Sequence, residues 1–292
     1  LDTVNVFARA HHMPVFSRFG PYETRVLDRF LWGDAGGHSA HAFEHWGHEA
    51  SVMPLDLLPA MCLKMRTPSS WMSSTRARLD AERPGLIEAV LATVEAEGPV
   101  TAGELEHLAP RESPRGTWWD NSHVKDALES LFITGDVAVS RAENFTRTYD
   151  STRRAWGVPG ASSGQWGLEP EAARQLLFDR ALAACGIGTA RDLADHFRLL
   201  APKGMHLADA ERWAASAVER GLAERVRVEG WREPALIAVG GPGPGGDGHG
   251  AAPWHRAAAD PGRATGAALL SPFDPVCWYR PRLERMFAVD YR

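Results

Sequence analysis

Ser122-His-Val-Lys-Asp-Ala-Leu-Glu-Ser-Leu-Phe132, followed by Gly135 and Asp136-Val-Ala-Val-Ser-Arg141, decides the fold. The first stretch has helical spacing and stops near Gly135. The second, with Phe145-Thr-Arg-Thr-Tyr149, reads as two short strands around Glu143-Asn144. Just upstream, Leu86, Ile87, Val90, Leu91 and Val94 mark an amphipathic helix that ends at Gly98-Pro99. Thr101-Ala-Gly-Glu-Leu105 then predicts a second helix, because a Thr side chain can accept an orphan N–H of the first turn and Glu104 sits where a capping box needs it. Helix, helix-turn-helix and two-stranded ribbon is the plan of a winged helix.

The same order returns. A helix spans 172–184, Thr189-Ala-Arg-Asp-Leu193 opens another, 208–220 makes a third that ends at Gly221, and strands follow at 223–228 and 234–239. The two Thr-Ala-x-[Glu/Asp]-Leu segments lie 88 residues apart, and the two helix-stopping glycines 86 apart. The expected fold is α+β: tandem winged-helix domains followed by a partial C-terminal β-barrel. The boundaries read as 1–83, 84–160, 161–232 and 233–292, the last holding a Gly/Pro-rich loop at 240–250. Within the first segment, Pro21–Trp32 has apolar residues at 26, 27, 30 and 31, a helix broken by Gly33. Both ends read as cut: position 1 enters an apolar-polar pattern without a lead-in, and Phe287–Arg292 looks like half a strand.

Composition narrows the class. A chain of 292 residues, 44% apolar and 24% charged, can build several compact units. It lacks a run of about 18 apolar residues that could cross a bilayer, and Leu1–Asn5 is no signal peptide, so the expected compartment is cytoplasmic, at the nucleoid if the partner is DNA. Cys62, Cys185 and Cys277 are too scattered for a disulfide framework or a CxxC cage. The net charge of −5 taken alone speaks against nucleic acid, yet three of the 32 basic residues are Lys and the other 29 are Arg. Arginine suits bidentate phosphate contacts, and a GC-rich genome produces the same skew.

Candidate sites divide between chemistry and packing. His11, His12, His38, His41, Glu44, His45, His48 and Glu49 invite a metal reading, but adjacent histidines on a helix point about 100° apart and the cluster lacks HExxH spacing. No metal and no cofactor is expected. No GxSxG nucleophile elbow, Walker loop or GxGxxG between a strand and a helix is read, since the glycines at 240–250 are too numerous and too far from any βα unit to hold phosphate. The two helices that would enter a groove carry Asp126 and Glu129, or Asp209, Glu211 and Glu219, and make poor readers. Arg141, Arg147, Arg153 and Arg154, on the wing and just after it, are better phosphate contacts, or else a solvated wing; Arg280 and Arg282 belong to a second basic run. Trp46, Trp118, Trp119 and Trp278 suit base stacking or packing.

Leu1-Asp-Thr-Val-Asn-Val-Phe-Ala-Arg-Ala-His-His12, Phe16–Tyr22, Phe43–Ser51 with Met53-Pro54, Trp118-Trp-Asp120, Val124–Phe132, Phe145–Asp150 and Leu270–Phe287 closely resemble the YcaQ/AlkZ-like winged-helix DNA glycosylases. The resemblance spans the chain. It implies a bacterial repair enzyme of three tandem winged helices and a C-terminal β-barrel. Such an enzyme hydrolyses the N-glycosidic bond of N7-alkylated purines in double-stranded DNA and unhooks interstrand crosslinks. Leu1 and Asp2 match the end of the family's Gln-Φ-Asp motif, whose Gln would precede Leu1, and this branch tilts towards broad specificity rather than self-resistance.

Asp2 is thereby the expected catalytic residue; without the resemblance it would read as a helix cap or a partner of Arg9. Arg9, His11, His12, Arg18 and Tyr22, close to it in sequence, are candidates for contacting the lesion strand. With no identifiable Schiff-base lysine, the enzyme is expected to be monofunctional, acting as a monomer without a membrane partner. The rival readings are a non-catalytic winged-helix regulator or damage sensor, and a metal hydrolase built on the histidines.

Overall fold

The computed structural model describes residues 9–34, 37–67, 70–110, 122–239 and 267–290. The chain is α+β, with many helices and three small sheets among these residues. It divides into two compact units, one formed by 1–22, 47–50 and 174–292 and the other by 23–46 and 51–173.

The 23–173 unit is built on α5 (Leu86–Glu97) and α6 (His123–Ile133), with α2 (Thr24–Trp32), α3 (Leu58–Arg66), α4 (Ser70–Glu82) and α7 (Thr152–Trp156) around them. Ser122 caps α6, its hydroxyl accepting the Lys125 N–H at 3.2 Å. Val124, Ala127, Leu128, Leu131 and Phe132 then fall on one face, all 0–1% exposed, and join Ile87, Val90, Val94, Val137, Val139 and Tyr149 in a single core. Gly135 ends the helix at φ +67°, where an added Cβ would lie 2.5 Å from Met65 Sδ, so conformation and space both require glycine.

Strands β3 (Val137–Arg141) and β4 (Arg147–Ser151) pair antiparallel, Val139 opposite Tyr149 and Arg141 opposite Arg147. The turn between them uses positive φ at Asn144 and Phe145. The Phe145 ring meets Trp32 edge-on at 5.1 Å, which gives this unusual backbone a packing reason. β1 (Ala42–Trp46) and β2 (Ala50–Pro54) form a second two-stranded sheet.

The α-helix expected to open at Thr101 does not form. Its capping box does, with Thr101 N–H donating to Glu104 Oε2 at 2.6 Å and Glu104 N–H to Thr101 Oγ1 at 3.4 Å. Beyond the box the chain makes only a 3₁₀ turn at Glu106–Leu108, since Pro110 disfavours helical Ala109, which sits at φ −149°, ψ 77°. Its counterpart at Thr189 does open a helix, α9 (Ala190–Asp195), closed by a complete Thr189–Asp192 capping box.

The other unit contains α1 (His12–Phe19), most of α8 (Pro170–Cys185), α9, and α10 (Leu207–Glu219). Buried Ala210, Trp213, Ala214 and Ala217 mark one face of α10, and Leu177, Phe178, Ala181 and Leu182 one face of α8; Phe178 and Trp213 rings lie 6.1 Å apart. Its sheet runs β5 (Ile187–Gly188), β7 (Ala235–Ala238), β6 (Ala223–Val226).

Residues 233–292 do not begin a barrel among the described residues. β7 completes this three-stranded sheet, and the segment expected to open a strand at Phe287 is instead the end of α11 (Arg280–Phe287), stopped by Ala288 at φ +53°. Leu283 and Arg282 are buried, which favours helical over extended spacing there. The loop at 240–250, Asp2, Trp118 and Trp119 lie outside the described residues. No described helix is long and apolar enough to cross a membrane.

Candidate functional site

The segment after the expected catalytic motif enters α1 through Arg9 and Ala10. The Arg9 carbonyl accepts the His12 N–H at 3.0 Å. His11 is wholly buried, its ring 4.0 Å from that of His12. The Tyr22 hydroxyl donates to the His12 carbonyl at 3.3 Å and sits 2.8 Å from His12 Nδ1. Arg9, His12 and Tyr22 are half-buried. Arg18 extends from the last turn of α1 and forks onto Asp274, Nη1 donating to Oδ2 at 2.8 Å and Nη2 to Oδ1 at 3.1 Å.

The arginines of the β3–β4 ribbon turn inward. Arg141 and Arg147 both donate to Glu44, a fully buried carboxylate on β1; Arg141 Nε reaches Oε2 at 2.8 Å and Arg147 Nη2 reaches Oε1 at 3.2 Å. Arg147 Nη1 also donates to Glu129 at 2.8 Å. The guanidinium groups ride over the rings of Phe145 (4.3 Å) and Phe132 (5.0 Å). Burial alone would raise Glu44, but Arg141 and Arg147 outweigh it and hold the carboxyl below its ordinary value.

Arg154 donates to Asp150 Oδ1 at 2.6 Å and to the carbonyls of Glu95 and Val94 at 2.7 and 2.6 Å, closing the C-terminus of α5. Arg153 is exposed beside it. Arg282 is buried and donates to the carbonyls of Ile187 (3.1 Å) and Cys185 (2.9 Å), while Arg280 is exposed at the start of α11. Of the expected DNA contacts, then, Arg18, Arg141, Arg147, Arg154 and Arg282 are joined to the chain's own acids or carbonyls. Arg153 and Arg280 present themselves to solvent.

The residues that local sequence reading missed are their acidic partners. Glu44, Asp150 and Asp274 each lie inside a stretch that resembles the glycosylases, and each is buried against a basic side chain. An acid in an otherwise apolar or aromatic motif was the available signal.

The histidines have partners of their own. His45 Nε2 donates to the Phe132 and Ile133 carbonyls at 3.1 and 3.2 Å, closing the end of α6. His48 Nε2 lies 3.2 Å from Asp195, and His38 Nε2 lies 3.2 Å from Asp150. Burial pushes His45 down to about 4, and His196 likewise to about 4. A ring whose folded value lies below the unfolded 6.5 stabilises the fold as the neutral species. That stability is complete above about 6.5 and is lost as pH falls towards 4, on the order of 3 kcal/mol for each ring. Urea melts between pH 7 and 4.5 are expected to show a falling midpoint, and His45→Gln a shallower fall; parallel curves for the two proteins would exclude His45 as a source.

A solved structure, the Streptomyces sahachiroi DNA glycosylase AlkZ, is similar to this chain at a TM-score of 0.50 and 16% identity, the match covering 78% of this chain and 59% of that one. At that identity the likeness concerns the fold, and the present chain spans about three fifths of the AlkZ chain's length. The profile of the family DNA glycosylase AlkZ-like matches residues 1–292. The chain therefore belongs to the AlkZ-like DNA glycosylase family.

Proposed function

We propose that this protein is a DNA repair glycosylase that hydrolyses the N-glycosidic bond of N7-alkylated purines and unhooks interstrand crosslinks. The observation that carries the reading is the family match over the whole chain. Asp2 is the catalytic residue, holding a water against the sugar. Arg9, His12, Tyr22, Arg153 and Arg280 are the polar groups proposed to meet DNA. Helix order, the Thr189 cap and the β3–β4 ribbon support tandem winged helices as the scaffold. The enzyme acts as a monofunctional monomer in the bacterial cytoplasm.

The test is direct. Full-length protein incubated with N7-methylguanine duplex in EDTA is expected to release free base and leave an unbroken abasic strand. Strand cleavage would exclude monofunctional action. Tight sequence-selective binding without base release would favour the regulator reading.

A further inference from the structure

We propose that the Arg18–Asp274 fork is a positioning element of the glycosylase reaction, locking α1, which follows Asp2 in the sequence, onto the Ser271–Trp278 turn. This rests on the assignment of Asp2 above. Asp274 is 1% exposed and is the hub of that turn. Its Oδ1 accepts the Val276 N–H at 3.0 Å, its N–H donates to Ser271 O at 2.9 Å, and its carbonyl accepts the Cys277 and Trp278 N–H groups at 2.8 and 3.1 Å.

The turn is itself held at its far end. The Trp278 ring stacks on His196 at 4.9 Å and 16°, and packs against His48 at 5.1 Å. One turn into α11, Arg282 is tied to the carbonyls that close α8 and enter β5. A continuous set of directed bonds thus runs from the α8–β5 junction through the turn to Arg18. On the α1 side, Arg18 Nη1 also donates to Pro14 O at 2.9 Å and Ser17 Oγ at 3.0 Å, so the same guanidinium grips the helix body.

A two-pronged carboxylate contact fixes orientation as well as distance, which a point charge cannot do. Asp2 precedes the first residue of α1 by ten positions in the sequence. A shift of about 1 Å in a reacting group costs roughly 100-fold in rate. Loosening α1 should therefore slow the chemical step and leave ground-state DNA binding alone.

The experiment compares Arg18→Gln, Arg18→Lys and Asp274→Asn in the full-length protein, by single-turnover release of N7-methylguanine at saturating enzyme and by duplex affinity across a salt series. All three variants are expected to lose about 10- to 100-fold in the saturated rate, with affinity within about twofold and an unchanged salt slope. If Arg18 instead contacts phosphate, Arg18→Gln weakens binding and lowers the slope by roughly 0.9, Arg18→Lys restores both, and Asp274→Asn does nothing; that pattern overturns the proposal. Lower melting temperature with a wild-type saturated rate overturns it too, since the pair would then serve stability alone. Asp274→Asn, near-isosteric and still able to accept the Val276 N–H, gives the answer if Arg18→Gln does not fold. Absence of base release by the unmutated protein defeats the glycosylase reading itself, a separate outcome from unmutated and variant proteins reacting alike.

Discussion

Asp2→Ala in the full-length protein is expected to lower release of N7-methylguanine by about 10³-fold or more while leaving duplex affinity within about twofold. The magnitude follows from what the bond requires. An N7-alkylguanine is already cationic and leaves as a neutral base, so no group need protonate it. The barrier lies in developing oxocarbenium charge on the sugar and in placing a water on its far face. One carboxylate answers both needs: it stabilises the charge and accepts the water's proton. The paired carboxylates of ordinary glycoside hydrolysis exist because an alkoxide leaving group must be protonated, a demand absent here. Asp2→Asn removes both roles together, since it keeps shape and hydrogen bonding but neither charge nor basicity. It should be nearly as inactive as Ala. Base release by Asp2→Ala at the wild-type rate removes Asp2 from the mechanism.

Much of the scaffold was legible because its signals are local. The apolar faces of α5, α6 and α10, the glycine stop at Gly135 and the Ser122 and Thr189 caps all lie within windows of about a dozen residues, and the elements form where those windows place them. Local reading failed where a distant partner decides. It failed once within local reach as well, since Thr101 and Glu104 make their box, yet Pro110 denies the helix its continuation. Phe287 has strand-like alternation around it, but the docking of Arg282 onto carbonyls 95 and 97 residues away holds the segment helical. Arginine roles were the least legible. Arg18 is 256 residues from Asp274, and Arg141 is 97 from Glu44, so nothing near either residue announces that its charge is matched. The β3–β4 ribbon looked cationic in sequence because the acids that meet Arg141 and Arg147 arrive from β1 and α6.

Glu44→Gln should be among the most destabilising single changes in the 23–173 unit, lowering unfolding free energy by about 3–5 kcal/mol. Glu44 is wholly buried, and its two oxygens receive Arg141 and Arg147, themselves 11% and 24% exposed. Neutralising it strands positive charge in a place water reaches poorly. Arg147 retains Glu129, but Arg141 is left with a 3.3 Å bond to the Phe145 carbonyl. The cost is that of an unmatched cation rather than the worth of the network, because desolvation offsets much of what a buried ion pair contributes. The distinction can be measured. Arg141→Met in the Glu44→Gln background removes the stranded charge and keeps an apolar side chain near Phe145, so the double variant should recover at least about 1 kcal/mol over Glu44→Gln alone. Urea melts of the four proteins in that cycle provide the numbers, and additive losses would mean the two groups are not coupled. The same variants decide what the β3–β4 ribbon does. Arg141→Gln should leave the salt slope of duplex binding unchanged, whereas a fall of roughly 0.9 would make Arg141 a phosphate ligand that binds Glu44 only when DNA is absent.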